Sequence, residues 1–529
     1  MLRGAAGILP LFIFLLVALP VLKVLAEVAV PSLETWRSLG PLLPLMLRNT
    51  LLLLLGVGAG SFLLGVSLAW LTAAYRFPGS RYFEVLLILP LAVPTYVLGY
   101  VYMATFDYAG PFSTAARQLL GITLPEIRSG YGAVAVMSLV LYPYVYVMAR
   151  AGFRQLSRAS MDVCRVMGYT GLETLIKVAL PLSRPAVAAG MALVMMEALT
   201  DFATVRFFNF PTLSEGIIRV WYGRMNLQAA MELAGLLLLF ALVVVSVEHR
   251  LRGRAQYFQT GGGMEKKHLR GTRGAAAAFF CTSVLFLAFL LPVLQLTLWA
   301  LEETSAPSTS LEMYLQLLSR SLSLAVAAAL VCVLLATVLA GVLQLGGSRI
   351  MRRLAGLSTM GYAVPGAAVG VGALSVLSSF DRWLNSLLEG TLGFTPGLLA
   401  TGTVLGLIYA YTVKFMTIAY SAVDSSMSRI TPSITGAARS LGARPLEVVT
   451  RIQAPMAVPG IAAGAVLVFV DVMKELPITL ILRPFGYDTL AVWVWQMAAE
   501  SMWGGAALPA LTIVLAGVIP VAYIIRRGV

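Results

Sequence analysis

The chain has 529 residues, of which 59% are hydrophobic and 12% are charged. Soluble globular proteins carry about 25% charged residues, so this composition excludes an ordinary soluble enzyme and a disordered chain, and it indicates a polytopic membrane protein. The net charge of +14 fits the excess of Lys and Arg in the cytoplasmic loops of such proteins, and we expect no nucleic-acid partner.

Twelve segments of the sequence are apolar and long enough to cross a bilayer, whose core of about 30 Å requires about 20 helical residues. The first six lie near residues 8–28, 49–73, 83–106, 131–151, 184–205 and 228–248. The other six lie near residues 275–299, 321–345, 354–378, 397–420, 456–482 and 503–525. The sequence predicts an all-α fold with about 12 transmembrane helices, and we expect the first segment to be an uncleaved span.

The basic residues predict the orientation of these spans. Most of the 38 Lys and Arg residues fall on one face of the membrane if the N-terminus is cytoplasmic. This bias predicts that both termini face the cytoplasm.

Several kinds of functional site are excluded by the sequence. Cys164, Cys281 and Cys332 are far apart in apolar surroundings and suggest neither a disulfide framework nor a thiol metal site. The two histidines are too few for a histidine-rich metal site. No G-x-x-x-x-G-K-[ST] string occurs, so the chain does not hydrolyse ATP by the P-loop route. We predict no catalytic residue and no cofactor, and we assign no metal ligand.

The two halves of the sequence match at a fixed offset of 274 residues. The paired positions are Asp107 with Asp381, Gly168 with Gly442, Pro181 with Pro455, Pro185 with Pro459 and Gly190 with Gly464. Because each half holds six predicted spans, both halves begin on the same side of the membrane and the repeat is parallel. We predict a first half over residues 1–249, a cytoplasmic linker over residues 250–273 and a second half over residues 274–529.

Each half contains a long, ordered segment between its fourth and fifth spans, at residues 157–190 and 431–464. Each segment predicts a short amphipathic helix, a Gly that permits a left-handed turn, a second short helix and a Pro that starts the next span. This arrangement would form a compact cytoplasmic knob that docks into a groove of a partner protein. A helix that lies on anionic lipid is the alternative, and the presence of two copies disfavours it.

These segments resemble the loop motif E-A-A-x-x-x-G, followed by I-x-L-P, of the permease subunits of binding-protein-dependent ABC importers. The matching residues of the first half are Asp162, Val163, Cys164 and Gly168, followed by Leu180 and Pro181. Those of the second half are Gly436, Ala437, Ala438 and Gly442, followed by Ala454 and Pro455. The first copy replaces Glu-Ala-Ala by Asp-Val-Cys and the second replaces the acid by Gly, but both copies keep the Gly and the Pro. The resemblance implies ATPase docking at both loops, with asymmetry between them.

Other stretches resemble signatures of the fused ferric-iron permeases. They are EALTDFATVRFF at 197–208, with Ala203 where that family usually has Gly, KELPITLILRPFGYDTLAVWVW at 474–495 and RGRAQYFQTGG at 252–262. The resemblance implies a type I permease in a bacterial inner membrane, two cytoplasmic ATP-binding subunits and a periplasmic or extracellular solute-binding protein. An importer of thiamine, polyamine or another small solute is an alternative. An ion-coupled secondary transporter is another, although it would have no use for two ATPase docking loops.

Four acidic residues fall within the fifth spans of the two halves. Glu197 and Asp201 are four residues apart and so share a helix face, as do Asp471 and Glu475 at the same offset. A carboxylate within a span costs on the order of 3 kcal/mol, so it usually faces a cavity or a partner. Carboxylates are hard ligands that suit a hard cation. We predict that these four acids line or gate a translocation pathway; the alternative is that they form structural ion pairs with Arg206, Lys474 or Arg483.

Overall fold

The structure is a computed structural model. It describes residues 2–29, 39–252, 265–303, 309–345, 348–358, 361 and 364–526. Most of the stretch 252–262 and part of the predicted linker 250–273 therefore lie outside the described residues.

The described residues are almost entirely helical, as predicted. The elements of the first half of the sequence are α1 (Leu2–Ala29), α2 (Leu43–Ala74), β1 (Tyr75–Arg76), α3 (Ser80–Leu86), α4 (Thr95–Phe106), α5 (Pro111–Leu120), α6 (Gly130–Arg154), α7 (Arg158–Val166), α8 (Gly171–Leu182), α9 (Arg184–Thr200), α10 (Ala203–Phe207), α11 (Leu213–Arg224) and α12 (Leu227–Arg252). A short 3₁₀ turn, Leu89–Ala92, precedes α4.

The elements of the second half follow a similar order. They are β2 (Lys267–His268), α13 (Gly271–Glu303), α14 (Leu311–Gln344), α15 (Arg349–Ser358), α16 (Gly366–Leu392), α17 (Val404–Met427), α18 (Pro432–Ser440), α19 (Pro445–Val448 continued by Val449–Met456), α20 (Val458–Met473), α21 (Pro477–Leu482), α22 (Leu490–Ala499) and α23 (Trp503–Arg526).

Seven helices in the described part of the chain are long and apolar enough to cross a membrane, and the number reaches ten if each sharply bent helix pair is one span. The bent pairs are Ser80–Ala92 with Thr95–Leu120, Gly171–Leu182 with Arg184–Thr200, and Val449–Met456 with Val458–Met473. The remaining two predicted spans, 354–378 and 503–525, overlap α16 and α23. The all-α, polytopic fold class is thus confirmed.

The chain forms two compact units, each assembled from three stretches. Unit one comprises Met1–Leu39, Gly216–Leu238 and Ser310–Trp493, and unit two comprises Gly40–Glu215, Leu239–Thr309 and Val494–Val529. In unit one, α14, α17 and α20 pack on one another and α1 packs against α15 and α16. In unit two, α2, α6 and α9 form the corresponding group, and the C-terminal part of α13 packs on α23. The predicted domain boundaries follow the sequence repeat and stay a prediction.

Small residues allow the helices of each unit to approach closely. A Cβ atom at Gly99 of α4 would lie 3.0 Å from the side chain of Thr204 in α10, within unit two. A Cβ atom at Gly370 of α16 would lie 2.8 Å from the side chain of Ile481 in α21, within unit one. Each unit therefore packs an intramembrane helix closely against the short helix that follows its broken fifth span.

Candidate functional site

The first candidate docking loop connects α6 to α9. Helix α7 begins after Ser157, whose hydroxyl accepts a hydrogen bond from the amide of Ser160 at 3.2 Å. Gly168 follows α7 with a φ of 72°, a left-handed conformation that glycine adopts without steric cost. Helix α8 then starts at a capping box, in which the side chains of Thr170 and Glu173 each bond the other residue's amide. The predicted helix, glycine turn and second helix are all present.

Glu173 keeps its charge in this loop. Hydrogen bonds from the backbone amide of Thr170 and from the side chain of Lys177 lower the pKa of Glu173 to about 2. The carboxylate is therefore ionised throughout the physiological pH range, and the capping box that starts α8 does not titrate there.

The second candidate docking loop, between α17 and α20, repeats this geometry. Gly442 follows α18 with a φ of 87°. The amide of Arg444 donates a 2.8 Å hydrogen bond to the side chain of Glu447, which corresponds to Glu173 at the offset of 274. Both loops then contain a π-helical turn, at Leu175–Ala179 and Val449–Gln453, immediately before the span begins. Equivalent local hydrogen bonds thus hold the two loops in the same shape.

Both loops present an apolar side chain at the residue before the left-handed glycine. Met167 is 58% exposed and Leu441, its equivalent, is 89% exposed. Val166, at the end of α7, is also 89% exposed. Exposed apolar side chains grouped on an ordered loop indicate a surface that binds another molecule.

The other predicted loop residues divide into exposed and buried positions. Asp162 is exposed and forms an ion pair with Arg165 at 2.9 Å, one helical turn away. Cys164 and its equivalent Ala438 are buried and hold the loop helices against the protein. The remaining predicted residues are exposed or half-buried: Leu180, Pro181, Ala437 and Pro455.

The first pair of intramembrane acids lies at a break in the fifth span of the first half. Helix α9 ends at Thr200, and the buried carboxylate of Asp201 accepts a 2.8 Å hydrogen bond from the amide of Thr204. The hydroxyl of Thr204 donates a second hydrogen bond to this carboxylate at 2.5 Å. Asp201 therefore caps the short helix α10 after the break.

The second pair lies at the equivalent break. Helix α20 ends at Met473, and the carboxylate of Glu475 accepts a 3.2 Å hydrogen bond from the amide of Ile478, again three residues onward. The ammonium group of Lys414 in α17 forms an ion pair with Glu475 at 2.8 Å, and the two side chains are 8% and 6% exposed. A buried carboxylate is thus neutralised by a cation in the middle of a predicted span.

The two halves differ at this point. Val140 occupies the position in α6 that corresponds to Lys414 at the offset of 274. Asp201 is satisfied by hydroxyl and amide donors, including the side chain of Thr95 at the start of α4, whereas Glu475 has a charged partner. Both halves therefore have a capping carboxylate at the break in the fifth span, but they stabilise that carboxylate with different partners.

The other two acids lie one turn before the breaks and are half-buried. Asp471 forms an ion pair with Lys474 at 2.8 Å, as the structural alternative predicted. Glu197 lies in the last turn of α9, and its carbonyl accepts the amide of Asp201 at 3.1 Å. Of the other basic residues in that alternative, Arg483 forms an ion pair with Asp488 and Arg206 lies over the ring of Trp495.

Lys414 is the residue that sequence reasoning missed. It was visible as a charge within an apolar span, and such a charge normally has a partner inside the protein. The spacing does not identify that partner, because Lys414 and Glu475 are 61 residues apart in sequence. Among the described residues, no group of three His, Cys, Asp or Glu side chains could hold a metal ion.

Gly366 makes room for this ion pair, and its substitution gives a direct test. A Cβ atom at Gly366 would lie 2.8 Å from the Lys414 ammonium nitrogen and 2.9 Å from a Glu475 carboxylate oxygen. We expect Gly366→Ala to lower the thermal stability of the purified protein, by about 1–3 kcal/mol for an overpacked site. Gly390→Ala is the matched control on the same helix, because nothing lies within 4 Å of its Cβ position. Equal melting temperatures for the two variants would contradict the assigned role of Gly366.

Comparison with known proteins shows similarity to transport permeases. Residues 61–249 match the family described as the inner membrane component of binding-protein-dependent transport systems. The chain is 26% identical over 482 residues to the Fe(3+)-transport system permease protein FbpB 2 of Haemophilus influenzae, covering 90% of this chain and 88% of the relative.

Permeases for oxyanions match a part of the chain. The molybdate/tungstate transport system permease protein WtpB of Pyrococcus abyssi is 23% identical over 46% of this chain and 93% of its own length. The sulfate transport system permease protein CysT of Salmonella typhimurium is 30% identical over 27% of this chain and 50% of its own length. The molybdate/tungstate permease, which is about half as long as this chain, therefore aligns along almost its whole length with about half of this chain.

Proposed function

We propose that the chain is an inner membrane permease of a binding-protein-dependent ABC importer and that it moves ferric iron across the bacterial inner membrane. In this proposal a solute-binding protein delivers the ion to the outer face, and two copies of a separate ATPase subunit drive transport from the cytoplasm. The chain itself performs no covalent chemistry. Both termini are cytoplasmic in this arrangement, which the distribution of Lys and Arg supports.

The observation that carries the substrate assignment is the extent of the similarity to the ferric-iron permease of Haemophilus influenzae. That relative aligns along 90% of this chain, whereas the molybdate/tungstate permease covers 46%. The carboxylates at the broken spans add chemical support, since hard oxygen ligands suit a hard cation better than an oxyanion.

The matched loops support a two-site engagement with the ATPase. Each loop is held by its own capping carboxylate and exposes an apolar side chain before the left-handed glycine. Two docking sites of this kind suit a pair of identical ATPase subunits. An ion-coupled transporter would have no use for two ATPase docking sites. The match of residues 61–249 to binding-protein-dependent permeases also disfavours that alternative.

Broken spans support a transport role for the acids. Discontinuous helices in transporters expose backbone groups and charged side chains to the substrate path, where irregular backbone is tolerated. In our proposal the half-buried Glu197 and Asp471 line the path, and Asp201 and Glu475 maintain the breaks that shape it. The capping hydrogen bonds of the latter two residues favour this division of roles.

Neutralising each acid separately tests this division. We expect Glu197→Gln and Asp471→Asn to lower iron uptake at least several-fold while the protein level stays normal, because the charge and not the fold is removed. We expect Asp201→Asn to lower the amount of folded protein, because an amide oxygen is a weaker acceptor than the carboxylate for the capping hydrogen bonds from Thr204. Normal uptake by both path variants in whole cells would contradict the pathway role.

Uptake assays in a strain that lacks this chain test the substrate. We expect uptake of radioactive ferric iron to be lost in that strain and restored by the wild-type chain, while molybdate and sulfate uptake stay unchanged. Loss of oxyanion, thiamine or polyamine uptake instead would reassign the substrate and leave the importer class intact.

A further inference from the structure

A short basic segment of the predicted linker is attached to unit two. We call residues 265–270 the strap. Within it, Lys267 and His268 form β2, which pairs in parallel with Tyr75 and Arg76 of β1, immediately after α2. The amide of Leu269 adds a 2.8 Å hydrogen bond to the carbonyl of Arg76. Backbone hydrogen bonds thus fix the path of the strap.

An ionic contact between Lys266 and Glu84 also holds the strap in place. The carboxylate of Glu84 in α3 accepts hydrogen bonds from Lys266 of the strap and from Arg150, a buried residue in α6. Because Arg150 is 3% exposed, it positions Glu84 from the protein interior. The side chain of Lys266 therefore binds to a carboxylate that is already held in place.

The strap also meets the first docking loop. Tyr75, the β partner of Lys267, lies against Gly171 at the start of α8, where a Cβ atom would collide with its hydroxyl. A small cavity of about 40 Å³ separates the two segments, and its lining includes Cys164 and Tyr169 of the loop together with Glu265 and Lys267 of the strap. Loop and strap therefore form one continuous surface.

We infer that the strap is part of the surface on which the ATPase subunit docks at the first half of the chain. The inference rests on the proposed docking role of the loop and extends that interface to a segment outside the family motif. Glu265, Lys267, His268 and Arg270 of the strap are exposed, and Val166 at the end of α7 is exposed too. The linker occurs once in the sequence, so the first docking surface differs from the second in its charge.

The mixed charge of this surface favours a protein partner over anionic lipid. The loop and strap expose Asp162 and Glu265 next to the basic residues. An anionic membrane surface attracts Lys and Arg but repels carboxylates. A surface that exposes apolar side chains together with charges of both signs is typical of a protein–protein interface.

Site-specific photo-crosslinking in the assembled complex tests the inference. A photoreactive residue would replace Lys267, Val166 or Leu119 in turn; Leu119 is an exposed residue of α5 and serves as the negative control. We expect positions 267 and 166 to capture the ATPase subunit with similar yields, at least tenfold above position 119. Capture from 166 but not from 267, or lipid adducts from 267, would overturn the inference. Capture from none of the three would instead contradict loop docking, and with it the proposed function.

A second variant tests whether the ionic contact positions the strap. Lys266→Met removes that contact and leaves the pair of Glu84 with Arg150 intact. We expect crosslinking from 267 to fall several-fold and crosslinking from 166 to stay unchanged. An unchanged yield from 267 would show that the β pairing alone positions the strap and would overturn the role given to Lys266.

Discussion

Replacing Lys414 by Met is expected to destabilise the protein by about 3–5 kcal/mol, because Glu475 would remain as a buried carboxylate without its cation. The pair is 2.8 Å apart and both side chains are more than nine-tenths buried. The measurement is thermal unfolding of the detergent-purified protein, together with the yield of monodisperse material. We expect a sharp loss of both.

The double variant Lys414→Met/Glu475→Gln separates charge from packing. It leaves no unpaired charge at the site, and we expect it to recover most of the lost stability, since replacing both partners of a buried pair is often nearly neutral. Lys474→Met is the matched control, because its pair with Asp471 is more exposed and such pairs contribute about 0–1 kcal/mol. A double variant as unstable as the single one would contradict the ion-pair account.

Replacing Met167 and Leu441 together by Glu is expected to abolish ATP-driven transport while leaving the protein folded. Both side chains are mostly exposed before the left-handed glycines, so their substitution removes little internal packing. A charge placed in the centre of an apolar contact costs about 2 kcal/mol or more per site, which is roughly a 30-fold loss of affinity. The measurement is retention of the ATPase subunit during purification, followed by the transport rate.

The single variants of these residues compare the two docking loops. Met167→Glu and Leu441→Glu should each weaken ATPase retention, and Leu119→Glu, an equally exposed position away from the loops, should have no effect. Full ATPase retention by the double variant would contradict the docking role of both loops.

The docking loops could be predicted in detail because their signals are local. A glycine between two short amphipathic stretches indicates a left-handed turn, and Gly168 and Gly442 have φ values of 72° and 87°. The T-x-x-E pattern at Thr170 likewise marks the start of α8. These features depend on residues within one or two helical turns.

The intramembrane site could be predicted only in part. The offset of 274 residues paired Asp201 with Glu475, but apolar periodicity did not mark the break in each fifth span. The role of each acid as a cap depends on that break. The partner of Glu475 depends on helix packing across a separation of 61 residues, which no local pattern encodes.

The attachment of the strap had no local signal either. Its β ladder involves two residues on each side, and alternation over two residues cannot be distinguished from a loop. Glu84 joins Lys266 and Arg150 from distant parts of the sequence. Contacts of this kind follow from the tertiary structure alone.

Reconstitution tests the central claim most directly. The purified chain would be placed in lipid vesicles with its ATPase subunit and with the iron-loaded binding protein on the outer-face side, and ferric iron movement into the compartment that holds ATP would be measured. We predict uptake that requires ATP, the ATPase and the binding protein together. Iron movement that persists without ATP and follows an imposed ion gradient would contradict the account.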